Sequence, residues 1–337
     1  MAALPVAARG PPLTGPGEEA AVDELHVVFG ARGALGAAIV RDLAAMGANV
    51  RAVVREDEKA HCVLPAHVEV FSADPLHRRR TVEAAEGASV VYRCIAASYA
   101  QWVEQWLPMT ENIIAAAHEN GARLVSPGSV YVYGPLRRIP AREDHPMAAV
   151  GEKGRLRIAT NETLLAAHRS GAVQVVIPRF PDMYGPCVVG RVYGELFHHA
   201  VRGELTRWFG DPDVPRDLVF VDDAARACIL LGGRPEAFGQ SWHVPGPETL
   251  TAGDFIRLVY SEAGQHCQMA RLSPLAVRFE SLFNSETRAF LEFRYLFERP
   301  LVLDGSRFAA AFPEFTYTPH GEAVRQTLEW FRRHYIS

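Results

Sequence analysis

Leu25-His26-Val27-Val28-Phe29-Gly30-Ala31-Arg32-Gly33-Ala34-Leu35-Gly36 is the stretch on which the reading of this chain turns. A short apolar run ends at Gly30, and Gly33 and Gly36 follow before a helical pattern from Ala34 to Met46 that Gly47 closes. Strand, glycine turn and helix in that order make a phosphate cradle. The first glycine permits the tight turn, the second lets a pyrophosphate approach the backbone, and the third lets the helix pack closely. The helix N-terminus, with Ala34 and Leu35 in its first turn, adds free N–H groups and a partial positive charge.

Outward from this loop the chain alternates short apolar runs with longer helical stretches. Strands are expected at Val50–Val54, Val68–Phe71, Ser89–Ile95, Leu124–Ser126 and Val173–Ile177. Helical patterns fill the stretch between Asp74 and Gly87, then Trp102–Asn120, with Pro108 as a kink point, and Glu152–Arg169. That rhythm predicts an α/β fold, a doubly wound parallel sheet of Rossmann type. After Arg179 the rhythm breaks into Pro, Gly and aromatic residues, which suggests a smaller C-terminal substrate-binding cap. The expected organisation is a flexible N-terminal arm at 1–23, a dinucleotide-binding Rossmann domain at 24–178, and mainly cap at 179–337. About 216–245 is expected to return to the Rossmann domain.

The end of the second strand selects the dinucleotide. A carboxylate there would bind the ribose hydroxyls of NAD(H). The chain has Val54 followed by Arg55, with Arg32 inside the glycine loop. Guanidinium groups grip a 2′-phosphate in a bidentate way, so NADP(H) is the expected cofactor. Asp74 has two readings, a hydrogen bond to the adenine amino group or an N-cap for the next helix. Ala96 and Ala97 are small enough to leave room for the cofactor's backbone.

Bulk properties narrow the partners. The 337 residues carry a net charge of -4, which gives no global attraction to nucleic acid or to an anionic membrane. No apolar run reaches membrane-span length. Cys62, Cys94, Cys187, Cys228 and Cys267 have no metal-ligand or CxxC spacing, so no metal site is expected, and reduced thiols in a cytoplasmic protein are the expectation.

Four segments in order resemble the extended short-chain dehydrogenase/reductase family of NAD(P)-dependent epimerases, dehydratases and reductases. They are Gly30–Gly36, Ser129-Val130-Tyr131-Val132-Tyr133-Gly134, Pro178-Arg179-Phe180-Pro181-Asp182-Met183-Tyr184-Gly185-Pro186 and Phe220-Val221-Asp222-Asp223-Ala224-Ala225. The resemblance runs from about Leu25 to Phe331. It implies that Ser129 holds a reacting oxygen, that Phe180 lies by the cofactor, and that Asp182 lies beside the nicotinamide face and the substrate.

The family's Tyr-x-x-x-Lys motif is missing. Lys153 stands where the Tyr belongs and Arg157 where the Lys belongs. In the family the phenol gives its proton as hydride reaches the carbon, and the Lys cation grips the nicotinamide ribose. Here a cation four residues away on the same face would make the Lys153 ammonium a better proton donor. Arg157 would keep the ribose role. Tyr133, Asp182, Tyr184 and His145 are rival donors. The substrate side is expected to include Tyr133, Asp182, Trp208 and Arg216, within a cap rich in aromatics.

The leading expectation is an NADPH-dependent reductase of a carbonyl or conjugated C=C group in a small hydrophobic molecule. A nucleotide-sugar epimerase or dehydratase is the second reading. A non-redox isomerase or lyase, or an NADP(H) sensor, is the third. The resemblance also allows a homodimer through two helices.

Overall fold

A computed structural model describes residues 24–55, 62–95, 101–190, 192–273, 282 and 291–335. The expected arm at 1–23, the small residues Ala96 and Ala97, and the cap aromatics Phe283 and Phe290 therefore lie outside the described residues.

The first five strands are β1 (Leu25–Phe29), β2 (Asn49–Val54), β3 (Glu69–Ser72), β4 (Val90–Arg93) and β5 (Arg123–Val125). Then come β6 (Gly128–Ser129), β7 (Val175–Phe180), β8 (Asp182–Tyr184), β9 (Thr206–Trp208), β10 (Pro215–Arg216), β11 (Leu218–Phe220) and β12 (Ser241–His243). Seven of them form one parallel sheet in the order β12-β7-β5-β4-β1-β2-β3, and β6 joins it through β7. The order reverses between β1 and β4, where Phe29 pairs with Arg93. A crevice opens at such a reversal, outside the carboxyl ends of the strands.

Helices cover both faces because successive strand residues point to opposite sides. The N-terminal helices are α1 (Ala34–Ala45), α2 (Arg78–Ala84), α3 (Trp102–Glu119) and α4 (Glu152–Arg169). Next come α5 (Tyr193–Arg202), α6 (Val221–Gly232) and α7 (Ala252–Ala263). On one face Val28 and Val54 join Ile39 and Leu43 of α1 and Ala224, Cys228 and Leu231 of α6. On the other, Val27, Phe29 and Val91 meet Ile113 and Ala116 of α3 and Leu164 of α4. Truncating a fully buried residue such as Ile39 or Ile113 to Ala would cost about 2–5 kcal/mol. Pro108 is accommodated inside α3, which continues to Glu119.

A third apolar cluster gathers Tyr184, Phe197, Trp208, Phe255 and Leu328. It draws on α5, α7 and the C-terminal helix His320–Tyr335. The segment after Arg216 rejoins the sheet region: α6 packs in the same cluster as α1, and β12 pairs with β7. Among the described residues no helix is long and apolar enough to cross a membrane.

The thiols depart from expectation. Cys62 and Cys187 are joined in a disulfide, with Cα atoms 5.9 Å apart, while Cys94, Cys228 and Cys267 are free. The bridge links the segment after β2 to the one after β8, across 125 residues of sequence. Spacing alone holds no trace of such a pair. The fold creates it.

Candidate active site

The glycine loop closes onto its neighbours through backbone. Gly30 sits at φ +77°, and a Cβ there would run into the Cys94 carbonyl at the end of β4. A Cβ on Gly36 would strike the Gly30 carbonyl oxygen, so α1 can lie this close to the turn only with glycine at that position. The N–H groups of Gly30 and Ala31 donate to the Val53 carbonyl of β2, at 3.2 and 3.3 Å. Gly33 is the extended N-cap of α1 and provides no side-chain cap. The opening N–H groups of a helix have no intrahelical partner. A diphosphate fits this cradle by shape and charge.

On one side of the loop a small pocket is walled by Gly30, Val53, Val54, Arg55, Ala73, Pro75, Ile95 and Met109. Val54 is buried at the end of β2, so no carboxylate stands there, and Arg55 lines the wall. Arg32 is half-buried within the loop. Asp74 does not cap the next helix, whose N-cap is His77 with no side-chain bond; it holds the turn ahead of it. Its Oδ1 accepts from the Leu76 N–H at 2.9 Å, and Asp74 is not among the residues lining the pocket.

A cavity of about 310 Å³ has Leu35, from the first turn of α1, in its wall. Its wall includes Ser129, Tyr131, Arg157, Phe180 and Asp182, with Arg93, Cys94, Trp102 and Trp106. Elements far apart in the chain place these side chains. Ser129 ends β6 and caps a single 3₁₀ turn, accepting from the Tyr131 N–H at 3.2 Å. That turn carries the Tyr131 phenol to Asp182 at the start of β8, where it donates to Oδ1 at 2.7 Å. Asp182 Oδ2 accepts from Arg216 Nη2 at 2.6 Å. Arg157 projects from α4 over Trp102 and Trp106, at 4.7 and 4.5 Å from the ring centres.

Several expected site residues lie elsewhere. Lys153 is buried in the first turn of α4 and does not line the cavity. Its backbone N–H and that of Gly154 donate to Glu292 Oε1, which caps the helix. Tyr133 is fully buried, with its phenol held between His243 and Arg179. Tyr184 bonds His320 Nδ1 at 2.7 Å, and His145 Nε2 accepts from the Arg137 N–H at 2.9 Å. Arg216 is fully buried behind Asp182, flanked by Trp208 and Phe297. Neither Arg216 nor Trp208 reaches the cavity wall, because the third apolar cluster encloses both. One group with metal-ligand geometry occurs among the described residues, His198, His199 and Glu204; none lines the cavity, and Glu204 is ion-paired with Arg202.

Tyr131, Arg93, Trp102 and Trp106 went unrecognised in the sequence. Tyr131 carried a signal, since it lies two residues beyond Ser129 in the same short motif. Arg93 ends the strand beside the glycine turn, where an arginine is an unusual choice for an enclosed position.

Known proteins agree with this layout. A sequence profile of the NAD dependent epimerase/dehydratase family matches residues 26–244. The dTDP-glucose 4,6-dehydratase of Streptomyces niveus is 24% identical over 221 residues, covering 65% of this chain and 60% of that protein. The structure of an epimerase from Methanothermobacter thermautotrophicus superposes with a TM-score of 0.79 at 17% identity, covering 95% of each chain. A Streptomyces venezuelae dTDP-glucose 4,6-dehydratase, solved with NAD and TYD bound, gives 0.75 at 16% identity, covering 92% of this chain and 97% of that one. These likenesses establish a shared fold, and the profile establishes kinship and, with it, a nicotinamide cofactor. The chain belongs to the NAD dependent epimerase/dehydratase family.

Proposed function

We propose that the protein is an NADP(H)-dependent oxidoreductase of the epimerase/dehydratase kind, acting on a hydroxyl-bearing or carbonyl carbon of a sugar-like substrate. The observation that carries this reading is the meeting of Ser129, Tyr131 and Asp182 in one cavity beside the glycine cradle. When bound, the nicotinamide supplies an acceptor and donor of hydride. The chain supplies the proton path. As a substrate hydroxyl is oxidised, its proton passes to the Tyr131 oxygen while the phenolic proton moves to Asp182 Oδ1 along the 2.7 Å hydrogen bond. The reverse transfer serves reduction. Arg216, fixed on Asp182 Oδ2, keeps that carboxylate oriented. The Ser129 hydroxyl hydrogen-bonds the reacting oxygen. Tyr131 thus stands in for the missing family tyrosine, with Lys153 as its rival. Arg157 orients the nicotinamide ribose.

Arg32 and Arg55 support NADP(H) over NAD(H), through a 2′-phosphate held at the end of β2. The named activity of the Streptomyces niveus relative supports a nucleotide-sugar substrate. A net reductase is the second reading, favoured by the flat apolar wall of Trp102, Trp106 and Phe180. Incubating the protein with C4-deuterated NADPH, or with NADP⁺ and a panel of nucleotide hexoses, separates the readings. Product formation with no net change in absorbance at about 340 nm indicates internal cycling. Stoichiometric NADPH loss indicates net reduction. No product from NADP⁺ with any nucleotide hexose, together with no deuterium passing from NADPH to any carbonyl substrate, would overturn both.

A further inference from the structure

Away from the cleft, the last turn of α5 brings two imidazoles and a carboxylate together. His198 and His199 lie in that turn, and Glu204 follows just beyond the helix end at Arg202. Gly203 turns the chain at φ +67°, where glycine is at home, and a Cβ there would meet Gln265 Oε1. The turn folds Glu204 back onto the helix, so that its N–H donates to the His199 carbonyl at 2.9 Å. The Gln268 amide donates to the Gly203 carbonyl at 3.0 Å, and the Tyr260 phenol of α7 donates to the Glu204 carbonyl. The backbone under the three side chains is therefore held in place.

One nitrogen from each ring and one Glu204 oxygen lie within 4.8 Å of one another. The rings are half-buried and Glu204 is exposed, so an ion can enter from solvent. His198 meets Tyr335 through a ring contact, and His199 Nδ1 is enclosed with no hydrogen-bond partner. An imidazole not committed to hydrogen bonding can offer a lone pair to a metal. Arg202 first, and His199 and His198 in smaller part, hold the Glu204 carboxyl below its usual range, so it stays an anion beside the rings. Its Oε1 is paired with Arg202 Nε at 2.6 Å, a solvent-exposed pair of the kind that holds weakly. The partial negative charge at the C-terminal end of a helix adds to the attraction for a cation.

We propose that His198, His199 and Glu204 form a binding site for a divalent transition metal, with Zn²⁺ as the best match and water completing its coordination. Two imidazoles and one carboxylate suit Zn²⁺, whereas Mg²⁺ and Ca²⁺ take oxygen ligands. Bonds of about 2.0–2.2 Å set tetrahedral ligand atoms about 3.3–3.6 Å apart, so closing the set takes side-chain movements on the order of 1 Å. The metal would clip the end of α5 to the segment that leads into β9. None of the three residues lines the reacting cavity, and the inference stands apart from the hydride reading.

The test uses the full chain, free of any affinity tag and dialysed from a chelator, with Zn²⁺ titrated by calorimetry and Co²⁺ by visible absorption. One equivalent of Zn²⁺ should bind with a Kd of about 20 µM or tighter. The Co²⁺ spectrum should show nitrogen and oxygen ligands, without the charge-transfer band that a thiolate would add. Zn²⁺ at about 100 times its Kd should raise Tm by about 3–4 °C, and Mg²⁺ should leave it unchanged. His198→Gln and Glu204→Gln should each weaken Zn²⁺ by about tenfold or more. Arg202→Gln frees the carboxylate and should tighten it by about threefold. Cofactor affinity should stay within about twofold of the parent in all three. A parent chain that binds Zn²⁺ more weakly than about 20 µM would overturn the proposal, whether or not the variants fold. So would parent-like Zn²⁺ affinity in the double variant His198→Gln, Glu204→Gln, because the metal would then sit on other residues.

Discussion

The two ends of the cleft are built from different materials. The cradle end is backbone: Gly30 and Gly36 admit no Cβ against the Cys94 and Gly30 carbonyls, and the N-terminus of α1 provides the donors. The reacting end is side chain. Ser129, Tyr131, Arg157 and Asp182 arrive from β6, a 3₁₀ turn, α4 and β8, and they meet only once the sheet has formed. A backbone site tolerates few sequences, so it keeps its pattern. A side-chain site can exchange one proton donor for another while the scaffold stays the same. On the proposed reading the Tyr131 phenol, in the cavity wall, takes over the task of the tyrosine missing from α4.

Substitutions can break or sharpen that contrast. The largest effect should come from the backbone end. Gly36→Val forces a side chain into the Gly30 carbonyl, and cofactor affinity should fall by about 100-fold or more, or the fold should be lost. Calorimetry with circular dichroism separates the two outcomes, and an unchanged affinity would contradict the account of the cradle. Next comes Tyr131→Phe, which should slow hydride transfer by about 10²–10³-fold while leaving cofactor affinity unaltered. Lys153→Met should cost less than about tenfold in the same assay. If the order of these two reverses, the ammonium is the donor and the phenol is structural.

Arg55→Ala is subtler. It should weaken NADP(H) by about tenfold and leave NAD(H) nearly untouched, as a titration with each cofactor would reveal. A loss shared equally by both cofactors would place Arg55 on the diphosphate instead. The smallest effect concerns pH and lies beneath both ends. Burial, and then Arg179, hold the His243 imidazole down to about 3 from 6.5. The unfolded chain takes up that proton as pH falls below about 6.5, and the folded chain does not until about 3, so this contribution to stability is lost across that window. Burial raises Asp42 and Asp217 to about 6, which works in the opposite sense as pH falls toward 3.8. The net slope of Tm against pH should therefore be shallow, whereas in His243→Gln the two carboxyls act unopposed and Tm should rise more steeply as pH falls from about 6 toward 3.8.

Much of the fold was legible because it follows from periodicity. The first strand was placed at its observed limits, and α4 runs from Glu152 to Arg169 as the pattern predicts. Strand β7 begins later than expected and continues through Pro178 to Phe180, because β12 and β6 pair along its far end. A proline in a strand reads as a stop signal, although it is tolerated where the strand's N–H is not needed. The cradle was legible for the same local reason. The reacting end was not. Tyr133 and Tyr131 lie two residues apart on one turn, yet the first turns inward to His243 and Arg179 while the second faces the cavity. Arg216 was expected on the substrate side, but it is buried against Asp182, 34 residues earlier in the chain. The Cys62–Cys187 bridge was hidden for the same reason.

A structure of the protein with NADP⁺ bound tests the central claim most directly, through the position of the nicotinamide C4. The account predicts diphosphate at the start of α1, and C4 in the cavity at about 3–3.5 Å from a substrate carbon whose oxygen meets Tyr131 and Ser129. A nicotinamide seated away from that cavity, with its reacting face toward Lys153 and the Tyr131 phenol out of reach, would contradict it.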